Sequence, residues 1–184
     1  MGTTRPSKGF EMPTITDLAN AIRKDNPKDL FCLVEFGDHG KIVCFSSGKG
    51  YAPRGNNINS VIRTSSRIIF VEEKTTADGE ERMVRNFEKY YAECGNGAQH
   101  ITIITAASPC SEVCATLLKG LVESFAGVIK TWVIAYHAPY LNARDTKKFG
   151  GLDTTLSMLN FSTEQVRCTC FKVHEHFIDS STLH

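Results

Sequence analysis

The chain has 184 residues, 41% of them hydrophobic and 22% charged, and a formal net charge of +1. These values suit one globular domain with a sizeable core. They exclude a disordered chain and an overall basic field for nucleic acid, and no apolar run is long enough to span a bilayer. The opening MGTTRPSKGFEMP has no apolar core of the kind a secretory leader needs. The seven cysteines are odd in number, in a chain large enough to fold without cross-links, which points to a reducing compartment, cytoplasmic or nuclear.

Residues 1–13 read as a tail, residues 14–173 as one domain and residues 174–184 as a second tail. Thr14 or Thr16 caps a first helix with Leu18, Ala19, Ala21 and Ile22 on its apolar side, ending near Asn26-Pro27. Leu30–Phe36 and Lys41–Ser46 are strands joined by the turn Gly37-Asp38-His39-Gly40. Cys32 and Cys44 fall on the two arms of this hairpin. They read as two buried thiols or as a cross-strand disulfide. Ser47 to Asp78 carries Gly48, Gly50, Pro53, Gly55, Asn56 and Asn57, which is loop chemistry, with one further short strand within Arg67–Glu72.

Glu80–Cys94 shows Met83, Val84, Phe87, Tyr90, Tyr91 and Cys94 at helical spacing and stops at Gly95-Asn96-Gly97. A strand from His100, rich in isoleucine, runs to Ser108-Pro109. A helix then starts, with Val113, Leu117, Leu118, Leu121, Val122 and Phe125 on one side. Lys130–Tyr136 is a buried strand, His137–Gly151 a polar loop, Leu152–Leu159 a helix and Val166–Val173 the last strand. A hairpin followed by three strands linked through helices makes an α/β fold. Its mixed five-stranded sheet has helices on both faces, and right-handed crossovers make the last three strands parallel. Sites in such sheets form at the carboxyl ends of parallel strands, where Ser108-Pro109-Cys110 and the loop after Tyr136 lie.

Cys110 and Cys114 stand four apart at the start of the helix after Pro109. On one helical face, near a positive dipole end, two thiolates form half of a zinc site; the alternative is two small buried apolar residues. The strand–turn–helix order with S-P-C-x-x-x-C resembles the zinc-dependent cytidine deaminase superfamily, and its AID/APOBEC-like branch most, over roughly Asp17 to Val173. That family carries H-x-E on one helix and P-C-x-x-C on the next; a His and two Cys hold zinc and the Glu moves protons.

The resemblance implies a three-layer α/β/α deaminase-like fold and hydrolytic deamination of cytosine, in single-stranded DNA or RNA or in a nucleotide. It also implies zinc as cofactor and Glu80 as the catalytic acid/base. The ligand set it implies is Cys110, Cys114 and Asp78, since Asp78-Gly79-Glu80 stands where the family has H-x-E. The residues between Glu80 and Pro109 number 28, a spacing typical of the family. Three departures stand out: Asp78 replaces His, the cysteines are separated by three residues rather than two, and Ala107 lies where many polynucleotide-editing members have Trp. A carboxylate ligates zinc, but beside two thiolates it weakens the acidification of water. Taken alone, Asp78 reads as an N-cap and Glu80 as a first-turn acid.

Candidate substrate contacts are Asn57, His137 and Tyr140, with Trp132 a core residue. Arg63, Arg67, Lys147 and Lys148 are the candidate basic patches. The competing reading is a deaminase-fold protein without catalysis, acting as a binding or regulatory partner, as the substituted ligand at Asp78 suggests.

Overall fold

The computed structural model describes residues 12–27, 29–47, 55–63, 65–72, 76–107, 109, 113–136 and, for the backbone, 166–170. Helix α1 (Ile15–Asp25) starts at Thr14, not Thr16. The Thr14 hydroxyl accepts from the Asp17 N–H at 3.1 Å, and the Asp17 carboxylate accepts from the Thr14 N–H at 2.8 Å. This reciprocal capping box satisfies two first-turn donors. Strands β1 (Phe31–Phe36) and β2 (Ile42–Ser46) form the expected antiparallel hairpin. Gly37 and His39 turn it with φ of 76° and 57°.

The stretch expected to be irregular contains a helix, α2 (Asn56–Ile62). Its Gly and Asn residues read as loop chemistry because the cap comes from elsewhere. The Asp25 carboxylate, at the end of α1, accepts from the Asn57 N–H at 3.2 Å, the Asn57 side-chain amide at 2.6 Å and the Ile58 N–H at 3.0 Å. Burial works to raise the Asp25 pKa, but the hydrogen bonds from Ile58 and Asn57 outweigh it and hold the carboxyl below its ordinary value.

The short strand within 67–72 is β3 (Ile68–Phe70), parallel to β2 at one edge. With β3 counted, the described residues form a six-stranded sheet rather than the expected five, in the order β3-β2-β1-β4-β5-β6. Helix α3 (Gly79–Cys94) leads to β4 (His100–Thr105), which pairs antiparallel with β1. Helix α4 (Cys114–Ser124) leads to β5 (Thr131–Tyr136), parallel to β4. The backbone of β6 (Val166–Cys170) pairs parallel with β5. The expected helix at 152–159 and the loop before it lie outside the described residues.

Side-chain alternation divides the core in two. On one face Cys32, Val34, Phe36, Val43 and Phe45 pack with Met83 and Phe87 of α3 and Leu118 and Leu121 of α4. On the other, Phe31, Leu33, Ile42 and Cys44 pack with Leu18 and Ile22 of α1 and Ile58 of α2. Helices thus cover both faces of a mixed sheet. Trp132 is core, as expected, with its ring 5.5 Å from that of Phe87. The hairpin register sets Cys32 opposite Phe45 and Cys44 opposite Leu33. The two cysteines therefore point to opposite faces and cannot be bridged; both are free and buried.

Candidate functional site

Four strand ends meet along one edge of the sheet. The amino end of β1 lies between the carboxyl ends of β2 and β4, since Phe31 pairs with Ser46 and Cys32 with Thr105. Thr105 in turn pairs with Tyr136 at the end of β5. Over this edge comes the first turn of α3. It sits close because residue 79 has no side chain: a Cβ there would lie 3.1 Å from the Cys32 amide nitrogen and 3.2 Å from the Phe45 carbonyl oxygen.

Two further ties hold this turn to the end of β2. The Gly79 N–H donates to the Ser47 hydroxyl at 2.9 Å. Arg82, 2% exposed, donates to the Ser46 carbonyl and, at 3.3 Å, to the Val71 carbonyl. Sequence periodicity gave no sign of Arg82, which reads as a solvated helix charge. Neither did it point to Ser47, one more polar residue in a loop. A fixed guanidinium among carbonyl acceptors is visible only once β2 and α3 are packed together.

Asp78 is the N-cap residue of α3, with φ −67° and ψ 155°, yet its side chain makes no capping hydrogen bond. Its Oδ2 instead accepts from the Cys114 Sγ at 3.7 Å. Two residues of the expected ligand set, 36 positions apart in the chain, are therefore brought together. Asp78 is exposed and Cys114 buried, so the pair lies at the rim with its sulfur inward. Glu80 follows in the first helical turn, half-buried. Its charge acts on the Cys32 thiol. Burial pushes the Cys32 thiol well above its ordinary range, and the Glu80 and Cys44 charges add to the effect. Cys32 is thus a protonated thiol under the site, not a nucleophile.

The described part of the helix after Pro109 is α4, Cys114–Ser124. Val113 is the N-cap of α4, with non-helical φ −129° and ψ −57°, and Cys114 is the first helical residue. The side-by-side placement of the two cysteines on one helical face rests on residues 110–112, which lie outside the described residues. Pro109 is buried; Cys110, like His137 and Tyr140, lies outside the described residues.

Asn57 belongs to α2, on the sheet face opposite α3, and its amide is held by Asp25. Arg67 is not part of a surface patch. It is 6% exposed, pairs with Glu35, and donates to the carbonyls of Gly40 and Pro13 at 2.8 Å each. Arg63 is exposed at the end of α2, and Lys147 and Lys148 lie outside the described residues.

The donor chemistry of the Asp78–Cys114 pair can be compared with what zinc requires. With Zn–S of about 2.3 Å, Zn–O of about 2.1 Å and a tetrahedral angle, a ligating sulfur and oxygen lie about 3.6 Å apart. The observed separation of 3.7 Å fits. It fits a thiol–carboxylate hydrogen bond equally well. Among the described residues no three His, Cys, Asp or Glu side chains converge as a metal site. Also among the described residues, no helix is long and apolar enough to cross a membrane. The chain matches no protein-family model, and no curated protein is significantly similar to it.

Proposed function

We propose that the protein is a zinc-dependent hydrolytic deaminase of cytosine, in single-stranded nucleic acid or a nucleotide, with a variant ligand set. The observation that carries this reading is the 3.7 Å approach of Asp78 to Cys114 over the sheet edge, with Glu80 in the same helical turn. Asp78, Cys114 and Cys110 hold the metal. When bound, zinc supplies a Lewis acid that makes water nucleophilic at neutral pH. Glu80 takes one proton of the attacking water and delivers it to ring N3. It then takes the second, from the new C4 hydroxyl, and passes it to the amino group, which departs as ammonia as C4 becomes a carbonyl. Two thiolates and a carboxylate place more negative charge on the metal than a His-containing set does, so Asp78→His is expected to raise activity.

A second reading is favoured by the same contact. The Cys114 thiol already has the Asp78 carboxylate as acceptor, so the pair is satisfied without metal, as in a non-catalytic binding protein on this fold.

Elemental analysis of the purified protein beside Cys114→Ala separates the two. About one zinc per chain, lost in the variant, supports the enzyme; Glu80→Ala should then keep zinc and fold while losing cytosine deamination on an oligonucleotide or nucleotide. No zinc in either protein overturns the deaminase reading in favour of the binding protein.

A further inference from the structure

Glycine has no Cβ, so its backbone nitrogen lies open to a neighbouring side chain and the chain turns freely there. Asn-Gly and Asp-Gly are therefore the pairs at which a backbone most readily attacks the side chain before it. This chain has one of each, Asn96-Gly97 and Asp78-Gly79. They lie at opposite ends of α3 and are held in opposite ways. Asn96-Gly97 is the exposed apex of the turn after the helix, with Gly97 at φ 85°. The turn is closed on either side of the pair: the Gly95 N–H donates to the Tyr91 carbonyl at 2.9 Å, and the Ala98 N–H to the Gly95 carbonyl at 2.7 Å. Among the described residues, nothing bonds the Gly97 N–H or the Asn96 side chain. At Gly79, by contrast, the N–H donates to the Ser47 hydroxyl at 2.9 Å, and the residue is buried against Cys32 and Phe45. The Asp78 carboxylate is taken by Cys114.

We propose that Asn96 is a site of spontaneous deamidation, and that the fold withholds the matching reaction from Asp78. The Gly97 nitrogen bonds to the Asn96 Cγ and gives up its proton, the side-chain nitrogen leaves as ammonia, and a cyclic imide forms. Water then adds to one of the two imide carbonyls and breaks its bond to nitrogen. Cleavage at the side-chain carbonyl gives aspartate. Cleavage at the main-chain carbonyl gives isoaspartate, with the chain routed through Cβ and Cγ. At Asp78 the same closure would expel water, but the Gly79 nitrogen must first leave Ser47 and the helix end must lift from the sheet.

Either product puts a carboxylate just beyond the carboxyl end of α3, where the helix dipole is negative. Isoaspartate also adds a methylene to the main chain inside the turn closed by Gly95 and Ala98. Gly95 has little room to yield, since a Cβ there would lie 2.5 Å from the Phe36 ring. The lesion therefore falls on the link between α3 and β4, at the far end of α3 from Asp78, and it does not rest on the proposed function.

The test incubates the full reduced chain at mildly alkaline pH, folded and in urea, with Asn96→Gln beside it. The tryptic peptides Tyr90–Lys119 and Thr75–Arg82 each hold one of the pairs. Deamidation is read as the mass gained when NH is exchanged for O, placed at Asn96 by fragmentation. Isomerisation at Asp78 is read as a second chromatographic peak of unchanged mass. Each pair is compared with its own rate in urea, which removes their intrinsic difference. Folding should slow Asp78 at least about tenfold more than it slows Asn96, because only Gly79 needs a local opening. In Asn96→Gln the mass gain should vanish from that peptide. Equal slowing of the two pairs, or a mass gain that survives Asn96→Gln, overturns the inference.

Discussion

The same substitution, glycine to alanine, is expected to have opposite signs at two positions of this protein. At Gly79 a new Cβ meets the Cys32 amide nitrogen at 3.1 Å, the Phe45 carbonyl oxygen at 3.2 Å and the Cys32 Cβ at 3.3 Å, where ordinary contact begins at 3.4 Å. Two of these are backbone atoms of paired strands, and they cannot swing aside as a flexible side chain does. The helix end must therefore lift by a few tenths of an ångström. Overpacking of this kind costs roughly 1–3 kcal/mol, and replacing glycine in a helix returns at most about 1 kcal/mol. A net loss of about 1 kcal/mol lowers the melting temperature by about 2–4 °C in a domain of this size. Gly120 is exposed within α4 and a Cβ there meets nothing within 4 Å. Gly120→Ala should stabilise by about 0.5–1 kcal/mol through the chain entropy of the unfolded state. Thermal unfolding by circular dichroism reads both. If Gly79→Ala stabilises as Gly120→Ala does, the close seating of α3 on the sheet edge is wrong, and with it the geometry of Asp78 and Glu80.

Other predictions concern the elements that frame the site. The Asp25 carboxyl is depressed in the fold, so its contribution is present above the ordinary value of 3.8 and is lost as pH falls through the folded value. Asp25→Asn should cost about 1–2 kcal/mol at pH 7 by urea unfolding, and the difference from the parent should shrink in acid. Arg67→Met leaves Glu35, a half-buried carboxylate, without its cation and should cost about 2–3 kcal/mol at neutral pH. Burial already holds Glu35 above its ordinary value against the opposing pull of Arg67, so the deficit should diminish as acid protonates it. Because Cys32 and Cys44 face opposite sides of the sheet, peptide mapping after mild oxidation should recover no Cys32–Cys44 disulfide. Phe87→Ala, which empties the ring cluster with Phe36, Phe125 and Trp132, should cost about 3–5 kcal/mol in urea unfolding.

Local pattern determined most of the regular structure. Thr14 and Asp17 carry the start of α1 within three residues of each other, and the period of Met83 and Phe87 marks the buried side of α3. The alternation along Phe31–Phe36 defines two faces before any partner is known, and a Gly-containing turn closes the hairpin. Helix α2 escaped sequence reasoning because its cap is the carboxylate of Asp25, more than 30 positions away and indistinguishable in sequence from any other helix-end acid.

The residue types of the proposed metal and proton-transfer site, Asp78, Glu80 and Cys114, could be named from sequence, because their chemistry belongs to the side chains themselves. The approach of Asp78 to Cys114 could not. Asp78 reaches Cys114 only because Gly79 lets α3 press on Cys32 and Phe45, and Ser47 and Arg82 fasten that turn to the end of β2. Likewise, the sequence left the pairing of Cys32 and Cys44 open, and a one-residue offset in strand register settled it. Register, close approach and caps supplied from another element are contacts between distant parts of the chain, so only the folded structure decides them.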